Sequence, residues 1–260
     1  MLFRSTYRRN YPCLGTNKYA FDWRAILEQV SKEPPPSGSL PHLIMDEGQD
    51  FPAEFFLVAR HIAKTLTVFA DENQRINPEN STLAQIRAAA GIKKVHKLTR
   101  NYRNTREIAA LAACFYTGLE SGIPEPPNQS GDLPVLIGHP TARDTANYIL
   151  RFERNHPDLE IGVLVPTTQA RSRLWHLLKD KARQPVVRYV GGKGAKGLEF
   201  DAVFLPELQD CTLDMSRPEA KMMFYVLLAR AREHLFLCYS GKGAPKIVQA
   251  FPKDLLESRS

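Results

Sequence analysis

Short apolar runs separated by helical patterns recur along this chain of 260 residues, and no other feature constrains its fold as strongly. Each run is only four or five residues long, as expected of strands that are buried in a parallel sheet. The predicted strands are 42–45, 66–69, 135–138, 161–165, 186–190, 202–205 and 235–238. Because parallel strands need a long crossover connection, usually a helix, this alternation predicts an α/β fold with parallel sheets.

Helical patterns lie between these runs, at 53–64, at 104–118 and in segments that begin at Thr141 and Ser216. Asn104 with Glu107, and Thr141 with Asp144, have the spacing of helix-capping pairs. Trp175 lies in a further stretch of helical spacing and is expected in the core. Segments 31–41 and 122–134, rich in proline, serine and glycine, are predicted loops.

A domain boundary is predicted near residue 95. The segment 1–95 contains only two of the predicted strands, which is too few for a complete doubly wound domain. The segment 96–260 contains the others and is long enough to form a whole domain. The chain is therefore expected to hold the end of one α/β domain followed by a complete second one.

The net charge of +7 and the sequence pI near 9.2 favour a polyanionic partner, because lysine and arginine displace counterions from phosphates. No apolar run approaches the roughly 20 residues of a membrane span, and the first residues lack the apolar centre of a signal peptide. A cytoplasmic protein without membrane partners is expected. The four cysteines form no C-x-x-C pair and accompany no histidines at zinc spacing, so reduced thiols are expected.

Three carboxylates, Asp46, Glu47 and Asp50, follow the first predicted strand. Ligands of open α/β sheets bind at the carboxyl ends of strands, where a carboxylate can hold Mg²⁺ beside nucleotide phosphates. A second carboxylate can polarise the attacking water. On these residues alone, the alternative is an acidic turn that caps the next helix, with Asp50 ahead of Pro52.

Four further motifs follow in order: ADENQ at 70–74, LTRNYRNT at 98–105, KGLEFD at 196–201 and YVLLARAR at 225–232. Together with the acidic strand end they resemble the UvrD/Rep-type superfamily 1 DNA helicases, over about residues 40–240. The resemblance implies P-loop NTPase (RecA-like) domains, an incomplete first one at 1–95 with Walker B and a complete second one at 96–260. It also implies ATP-driven, 3′-to-5′ movement on single-stranded DNA, or on a duplex with a single-stranded tail.

The resemblance implies three roles in the first domain, with ATP and Mg²⁺ as cofactors. Asp46 is the expected magnesium ligand at the nucleotide, and Glu47 is the residue expected to activate the attacking water. Gln74 is expected to sense the γ-phosphate and to couple it to DNA.

In the second domain the resemblance implies contacts with the nucleotide from the other side. Tyr102 is expected to stack on the adenine, and Glu199 to hold the ribose, with Gly197 beside it in the same motif. Arg103 and Arg230 are the arginines expected to reach the γ-phosphate across an interdomain cleft. Arginines delivered in this way stabilise the transition-state charge only when the cleft is closed, which ties hydrolysis to domain motion.

The sequence also departs from the family. It contains no G-x-x-x-x-G-K-[ST] loop, whose backbone amides and lysine supply most of the grip on a triphosphate. The chain alone is therefore expected to bind ATP weakly and not to hydrolyse it usefully, and the missing N-terminal ATPase part or a partner protein would complete it. Gly191, Lys193 and Ala229 replace the family's usual residues, and Asn77 stands where many members have an aromatic residue.

Two other functions are open from the sequence. The chain could be a non-catalytic module that binds DNA or a protein with a degenerate helicase fold, although such a module has no chemical need for the retained motif residues. A metal-dependent nuclease built on Asp46, Glu47 and Asp50 is the third hypothesis, but the sequence lacks the lysine-bearing strand expected beside such acids.

Overall fold

The computed structural model describes residues 21–34, 40–75, 79–119, 121–182, 186–189, 195 and 197–259, with the backbone alone described at 186–189. The chain divides into two compact units, Met1–Lys97 and Leu98–Ser260. Across the described residues, no helix is both long enough and apolar enough to cross a membrane.

The first unit is built on two parallel strands. Its elements are α1 (Trp23–Lys32), β1 (Leu40–Met45), α2 (Ala53–Ile62), β2 (Ala63–Val68) and α3 (Leu83–Ala90). Helix α2 ends at Ile62, two residues before the predicted end at Lys64, because Ala63 already pairs with Leu40 in the sheet. The strand therefore follows the helix with no loop between them.

Helices α2 and α3 supply the core of the first unit. Phe55 and Phe56 of α2 and Ile86 of α3 pack with Met45 at the end of β1. The neighbouring residue Ile44 points to the other face of the strand and is 69% exposed. This sheet is thus covered by the described helices on one face and open on the other, whereas parallel sheets are usually buried on both faces.

The second unit is a six-stranded sheet in the order β5-β4-β6-β7-β3-β8, and every neighbouring pair is parallel. Its strands are β3 (Val135–His139), β4 (Ile161–Val165), β5 (Val186–Tyr189), β6 (Phe200–Leu205), β7 (Ala231–Ser240) and β8 (Glu257–Arg259). Its helices are α4 (Arg106–Ala113), α5 (Ala142–Asn155), α6 (Thr168–Leu178) and α7 (Pro218–Leu228). The predicted α/β class with parallel sheets is confirmed.

Both faces of this sheet are covered by helices. Along β6, Val203 and Leu205 pack in the core with α4 and α7, whereas Ala202 and Phe204 pack in the core with α5 and α6. This alternation follows from the two-residue period of a strand. The result is a three-layer unit whose sheet is buried on both sides, as the continuous apolar runs predicted.

Some local predictions hold and others are wrong. Thr141 and Asp144 form the predicted capping box at the start of α5. The helix predicted over 104–118 is shorter, Arg106–Ala113. It begins two residues later because the Asn104 side chain bonds to distant backbone instead of capping the helix, and Glu107 accepts from Ser130 Oγ (2.6 Å). Trp175 is not in the core: Leu174 and Leu178 fill the buried side of α6, while Trp175 is 46% exposed.

Cys114, Cys211 and Cys238 are free thiols, as predicted, and Cys13 lies outside the described residues. Burial raises the pKa of all three described thiols, most strongly for Cys238. A raised pKa lowers the thiolate fraction, so these cysteines are poor nucleophiles at neutral pH.

Candidate functional site

The acidic turn begins where β1 ends. Asp46 is exposed, and its Oδ1 accepts a hydrogen bond from the backbone N–H of Glu47 (2.8 Å). Glu47 has a φ of +54°, in the left-handed region that residues with a side chain rarely adopt. Such backbone conformations concentrate at functional sites, because the surrounding structure must hold them in place.

Gln49 links this turn to the second motif of the first unit. It is fully buried, and its Nε2 donates to Glu47 Oε2 while its Oε1 accepts from the backbone N–H of Asp71 (2.9 Å). One carboxamide thus holds the ends of β1 and β2 together. Gln49 was not among the predicted site residues; its position between Glu47 and Asp50 in the acidic motif is the signal that could have identified it.

Gly48 allows the two strand ends to approach closely. Its N–H donates to the carbonyl oxygen of Phe69 (2.8 Å), and a Cβ at this position would lie 2.4 Å from Val68 Cγ1. Any side chain here would push the acidic turn away from β2. The glycine of the motif is therefore required by packing, independently of any ligand.

The second motif is organised around Asp71. Its Oδ1 accepts from the N–H of Asn73 (2.9 Å), and its Oδ2 accepts from Gln74 Nε2 (2.9 Å). The Gln74 side chain therefore has a definite position beside the strand end. Glu72 is only 4% exposed, and its Oε2 has no hydrogen-bond partner within the part of the chain that the structure describes.

The Asp46 carboxylate fits a magnesium ion that is bound mainly through water and phosphate. Mg²⁺ in nucleotide sites typically uses one or two protein carboxylates, and Asp46 is an exposed carboxylate at the end of a parallel strand. The described residues include no group of three or more His, Cys, Asp or Glu that could hold a metal.

In the second unit, Glu199 is held between two arginines. Arg103 Nη2 lies 2.5 Å from Glu199 Oε1, and Arg232 Nε lies 3.5 Å from Glu199 Oε2. Arg232 also reaches Asp201, with 3.1 Å between Nη1 and Oδ1. Glu199 and Arg103, which were predicted to contact ribose and phosphate, are therefore paired with each other here.

Tyr102 lies in the same loop and is free to stack. Its side chain is 82% exposed, so it does not pack beneath a loop. The next backbone N–H, that of Arg103, donates to Asn101 Oδ1 (2.9 Å), which orders the loop around it. An exposed aromatic ring on an ordered loop is a suitable platform for a base.

Arg230 is buried, so no ligand can reach its side chain unless the residues around it move. It is 1% exposed; its Nε donates to the carbonyl oxygen of Val226 (3.0 Å) and its Nη1 to that of Leu198 (3.3 Å). The predicted contact with a phosphate therefore requires this side chain to become exposed. Gly197, with a φ of +74°, is exposed, and nothing lies within 4 Å of an added Cβ.

Several residues of these clusters were not predicted as site residues: Gln49, Asn104, Asp201 and Arg232. All lie within or beside the motifs, but their importance comes from partners that are distant in sequence. Lys196, Gly191, Lys193 and Asn77, which the sequence singled out, lie outside the described residues.

Comparison with known proteins agrees with the motif series. Residues 193–242 match the model of the UvrD-like helicase C-terminal domain. Over 242 residues the chain is 25% identical to a protein of Acanthamoeba polyphaga mimivirus named as an ATP-dependent DNA helicase. That match covers 76% of this chain but 34% of the viral protein, so the chain spans about a third of the length of this curated relative.

A solved structure is also similar to part of the chain. It is the C-terminal domain of a protein described as a DNA helicase from Lactobacillus plantarum WCFS1, with a TM-score of 0.47 and 20% identity. The match covers 60% of this chain and 98% of that domain.

Proposed function

We propose that this chain belongs to an ATP-dependent DNA motor of the UvrD/Rep type, because residues 193–242 match the UvrD-like helicase C-terminal domain and the chain is similar to a protein named as an ATP-dependent DNA helicase. Such a motor would move 3′-to-5′ on single-stranded DNA, or enter a duplex from a single-stranded tail, in the cytoplasm. The proposed domains are a partial first RecA-like domain at 1–95 and a second at 96–260. The missing phosphate-binding loop would come from an N-terminal ATPase part or from a partner protein.

The observation that carries this proposal is the link made by Gln49. It joins Glu47, the proposed water-activating residue, to Asp71, which in turn holds Gln74. A catalytic carboxylate and a γ-phosphate sensor must be placed relative to each other for phosphoryl transfer, which depends mainly on positioning and charge. A buried carboxamide shared by both strand ends supplies that positioning.

Each proposed role in the first unit follows from the placement of its side chain. Asp46 is exposed at the strand end and is proposed to hold Mg²⁺, which would neutralise charge on the nucleotide phosphates. Glu47 accepts a hydrogen bond from Gln49 and is proposed to take the proton of the attacking water as general base. Gln74 is proposed to report the γ-phosphate through its bond to Asp71.

In the second unit, charge and exposure support the proposed nucleotide contacts. Tyr102 is exposed and is proposed to stack on adenine, with Gly197 leaving open space beside Glu199 for the sugar. Arg103 already binds a carboxylate, and guanidinium groups bind carboxylate and phosphate in similar geometry. Arg230 is proposed to leave its buried position when the triphosphate is present.

The second candidate function is a non-catalytic module that binds DNA or a protein. It is favoured by the buried position of Arg230, which no phosphate reaches in this structure, and by the pairing of Arg103 with Glu199, which competes with a phosphate for Arg103. A module of this kind binds its partner without responding to nucleotide. Substitution of Glu47, the proposed general base, should therefore lower activity in the motor but leave partner binding by the module unchanged.

ATP hydrolysis by Glu47→Gln and wild-type proteins, with and without a single-stranded oligonucleotide, tests the proposal. For the chain alone we expect little hydrolysis. In a form that includes a phosphate-binding loop we expect DNA-stimulated hydrolysis that Glu47→Gln lowers by at least about 100-fold. Glu54→Gln, which removes an equal charge from the first turn of α2, is the matched control.

Each outcome has a definite meaning. Hydrolysis that Glu47→Gln leaves unchanged contradicts the catalytic role of Glu47. Strong DNA-stimulated hydrolysis by the 260-residue chain alone contradicts the need for a separate phosphate loop. Salt-dependent DNA binding that is identical with and without ATP, in the form that has the loop, favours the binding module.

A further inference from the structure

Asn104 connects the loop that carries Arg103 to the backbone on both sides of Arg230. The Asn104 side chain is buried, and its Nδ2 donates to the carbonyl oxygens of Ala229 (3.1 Å) and Ala231 (2.5 Å). Those two residues flank Arg230 in the sequence. The carboxamide of Asn104 therefore binds the backbone immediately before and after the buried Arg230. Asn104 is also the residue that directly follows Arg103 in the sequence.

The other half of the same carboxamide orders the loop. Asn104 Oδ1 accepts from Asn101 Nδ2 (2.8 Å), and Asn101 Oδ1 accepts in turn from the backbone N–H of Arg103 (2.9 Å). The backbone N–H of Thr105 donates to the carbonyl oxygen of Arg232 (3.0 Å), next to the Asn104 contacts. Nδ2 of Asn104 thus joins residues 101–105 to 229–232, while its Oδ1 orders residues 101–104 among themselves.

We propose that Asn104 is a positioning residue that couples Arg103 to Arg230, so that the two guanidinium groups respond together when an anion binds. The proposal rests on the proposed role of these arginines at the triphosphate. Groups that stabilise developing charge must be held within about 0.5 Å of the productive geometry, and a misplacement of about 1 Å can lower the rate on the order of 100-fold. Arg103 is on a loop, so its placement depends on such an anchor.

Removing the anchor has a predictable local effect. Without Asn104 Nδ2, the carbonyl oxygens of Ala229 and Ala231 lose their donor, and the turn at the end of α7 is released. Arg230 would then leave Val226 more often, because the bond from Arg230 Nε depends on the position of that turn. The loop with Arg103 would move independently of it.

The first experiment needs no ligand. Arginine Nε–Hε groups are observed by NMR in the wild-type chain and in Asn104→Ala and Asn104→Ser variants. We expect the Arg230 Nε–H to exchange with solvent about tenfold faster in both variants, because its protected state opens more often. The matched control is Thr145→Ala, which removes another buried polar side chain, one whose Oγ1 lies 3.2 Å from Ser240 Oγ, and which should leave Arg230 exchange unchanged.

Serine keeps a polar group at position 104 but is too short to reach both carbonyls, so it tests the role even if the alanine variant does not fold. Unchanged Arg230 exchange in the folded Asn104→Ser variant overturns the proposal. A similar increase in Thr145→Ala also overturns it, because the effect would then be general loosening of the fold.

The second experiment uses inorganic tripolyphosphate as the anion. We expect Arg103→Gln to weaken binding about tenfold in the wild-type background but about twofold or less in the Asn104→Ser background, because the uncoupled arginine contributes little. Equal weakening in both backgrounds contradicts the coupling. If tripolyphosphate shifts neither arginine signal in the wild type, the proposed nucleotide role fails, while the exchange experiment still decides the role of Asn104.

Discussion

Both units of this protein carry motif residues, but the sheets that support these residues differ greatly in size. In Met1–Lys97 the acidic turn and the glutamine motif follow two strands whose sheet is covered by helices on one face. In Leu98–Ser260 the arginine and glutamate motifs surround a six-stranded sheet with separate cores on its two faces.

This difference determines what holds each set of side chains in place. In the second unit, the strands beneath the motifs are fixed by packing on both faces, so the surface ion pairs add specificity more than stability. In the first unit, the position of Glu47 depends on a few local contacts, chiefly the close approach at Gly48 and the buried Gln49. We therefore expect the first unit to be the more sensitive to substitution.

The largest expected effect compares two fully buried phenylalanines, Phe56 in the first core and Phe204 in the second. Either change to alanine should lower the free energy of unfolding of its own unit by about 3–5 kcal/mol. Because a small core has little stability in reserve, Phe56→Ala should unfold the first unit while the second stays folded. Phe204→Ala should leave its unit folded but less stable. Urea unfolding followed by amide NMR signals of each unit measures both.

If Phe56→Ala and Phe204→Ala both melt the whole chain in a single transition, the comparison between the units is wrong. If Phe56→Ala leaves the first unit folded, that unit has more stability than its single covered face indicates.

Gly48→Ala tests the close approach of the two strand ends. The added methyl would lie 2.4 Å from Val68 Cγ1, and relieving this clash should cost the first unit about 1–3 kcal/mol. The double variant with Val68→Ala should regain part of the stability that Gly48→Ala loses, because it removes the atom that the methyl meets. A double variant as unstable as the sum of the two single variants argues against this cause. Thermal unfolding of the three variants gives the comparison.

Glu199→Gln tests the ion pairs of the second unit. Glu199, Arg103 and Arg232 are all partly exposed, so the free energy of unfolding should change by no more than about 1 kcal/mol. Removing the carboxylate should free Arg103, while Arg232 keeps its ion pair with Asp201. Tripolyphosphate binding should strengthen about fivefold, whereas ATP should gain less because its ribose loses a partner. Titration calorimetry with both ligands gives the ratio, and Glu125→Gln, which unpairs Arg100, is the matched control. Equal gains for both ligands would count against a ribose contact.

The smallest expected effect is a pH dependence from His139, at the end of β3. Burial lowers the pKa of His139 below its ordinary value of about 6.5, partly opposed by Asp144. As the pH drops, the imidazole is therefore protonated first in the unfolded chain. The free energy of unfolding should be level above about pH 6.5 and should fall as the pH drops from about 6.5 towards the folded pKa. His139→Gln should flatten this part of the profile in urea unfolding measured between about pH 5 and pH 8. A profile unchanged by the substitution rules out His139 as its source.

Much of the fold follows from local sequence patterns. The apolar runs at 161–165 and 202–205 became β4 and the buried part of β6, because a strand buried on both faces must be continuously apolar. The short polar strand β8 has all three residues exposed and carries no such pattern, so it was missed. It forms through backbone pairing with β3, to which its side chains add little.

The candidate site was predictable in composition but not in arrangement. The family resemblance pointed to Glu47, Arg103 and Glu199, yet it did not show that Arg103 and Glu199 pair with each other. Nor did it show that Arg230 is buried against carbonyl oxygens at the end of α7. An arginine is rarely buried without such partners, and a sequence motif does not reveal that they are present.

By itself, the sequence determined the α/β class, the positions of most strands and the motifs that relate the chain to UvrD-like helicases. These are encoded locally, by apolar periodicity and by residue types at fixed spacing. Only the tertiary structure decided that Gln49 joins two strand ends and that Asn104 grips both sides of Arg230. Those contacts join residues that are 22 and more than 120 positions apart, and hydrogen bonds between such residues exist only once the sheets have formed.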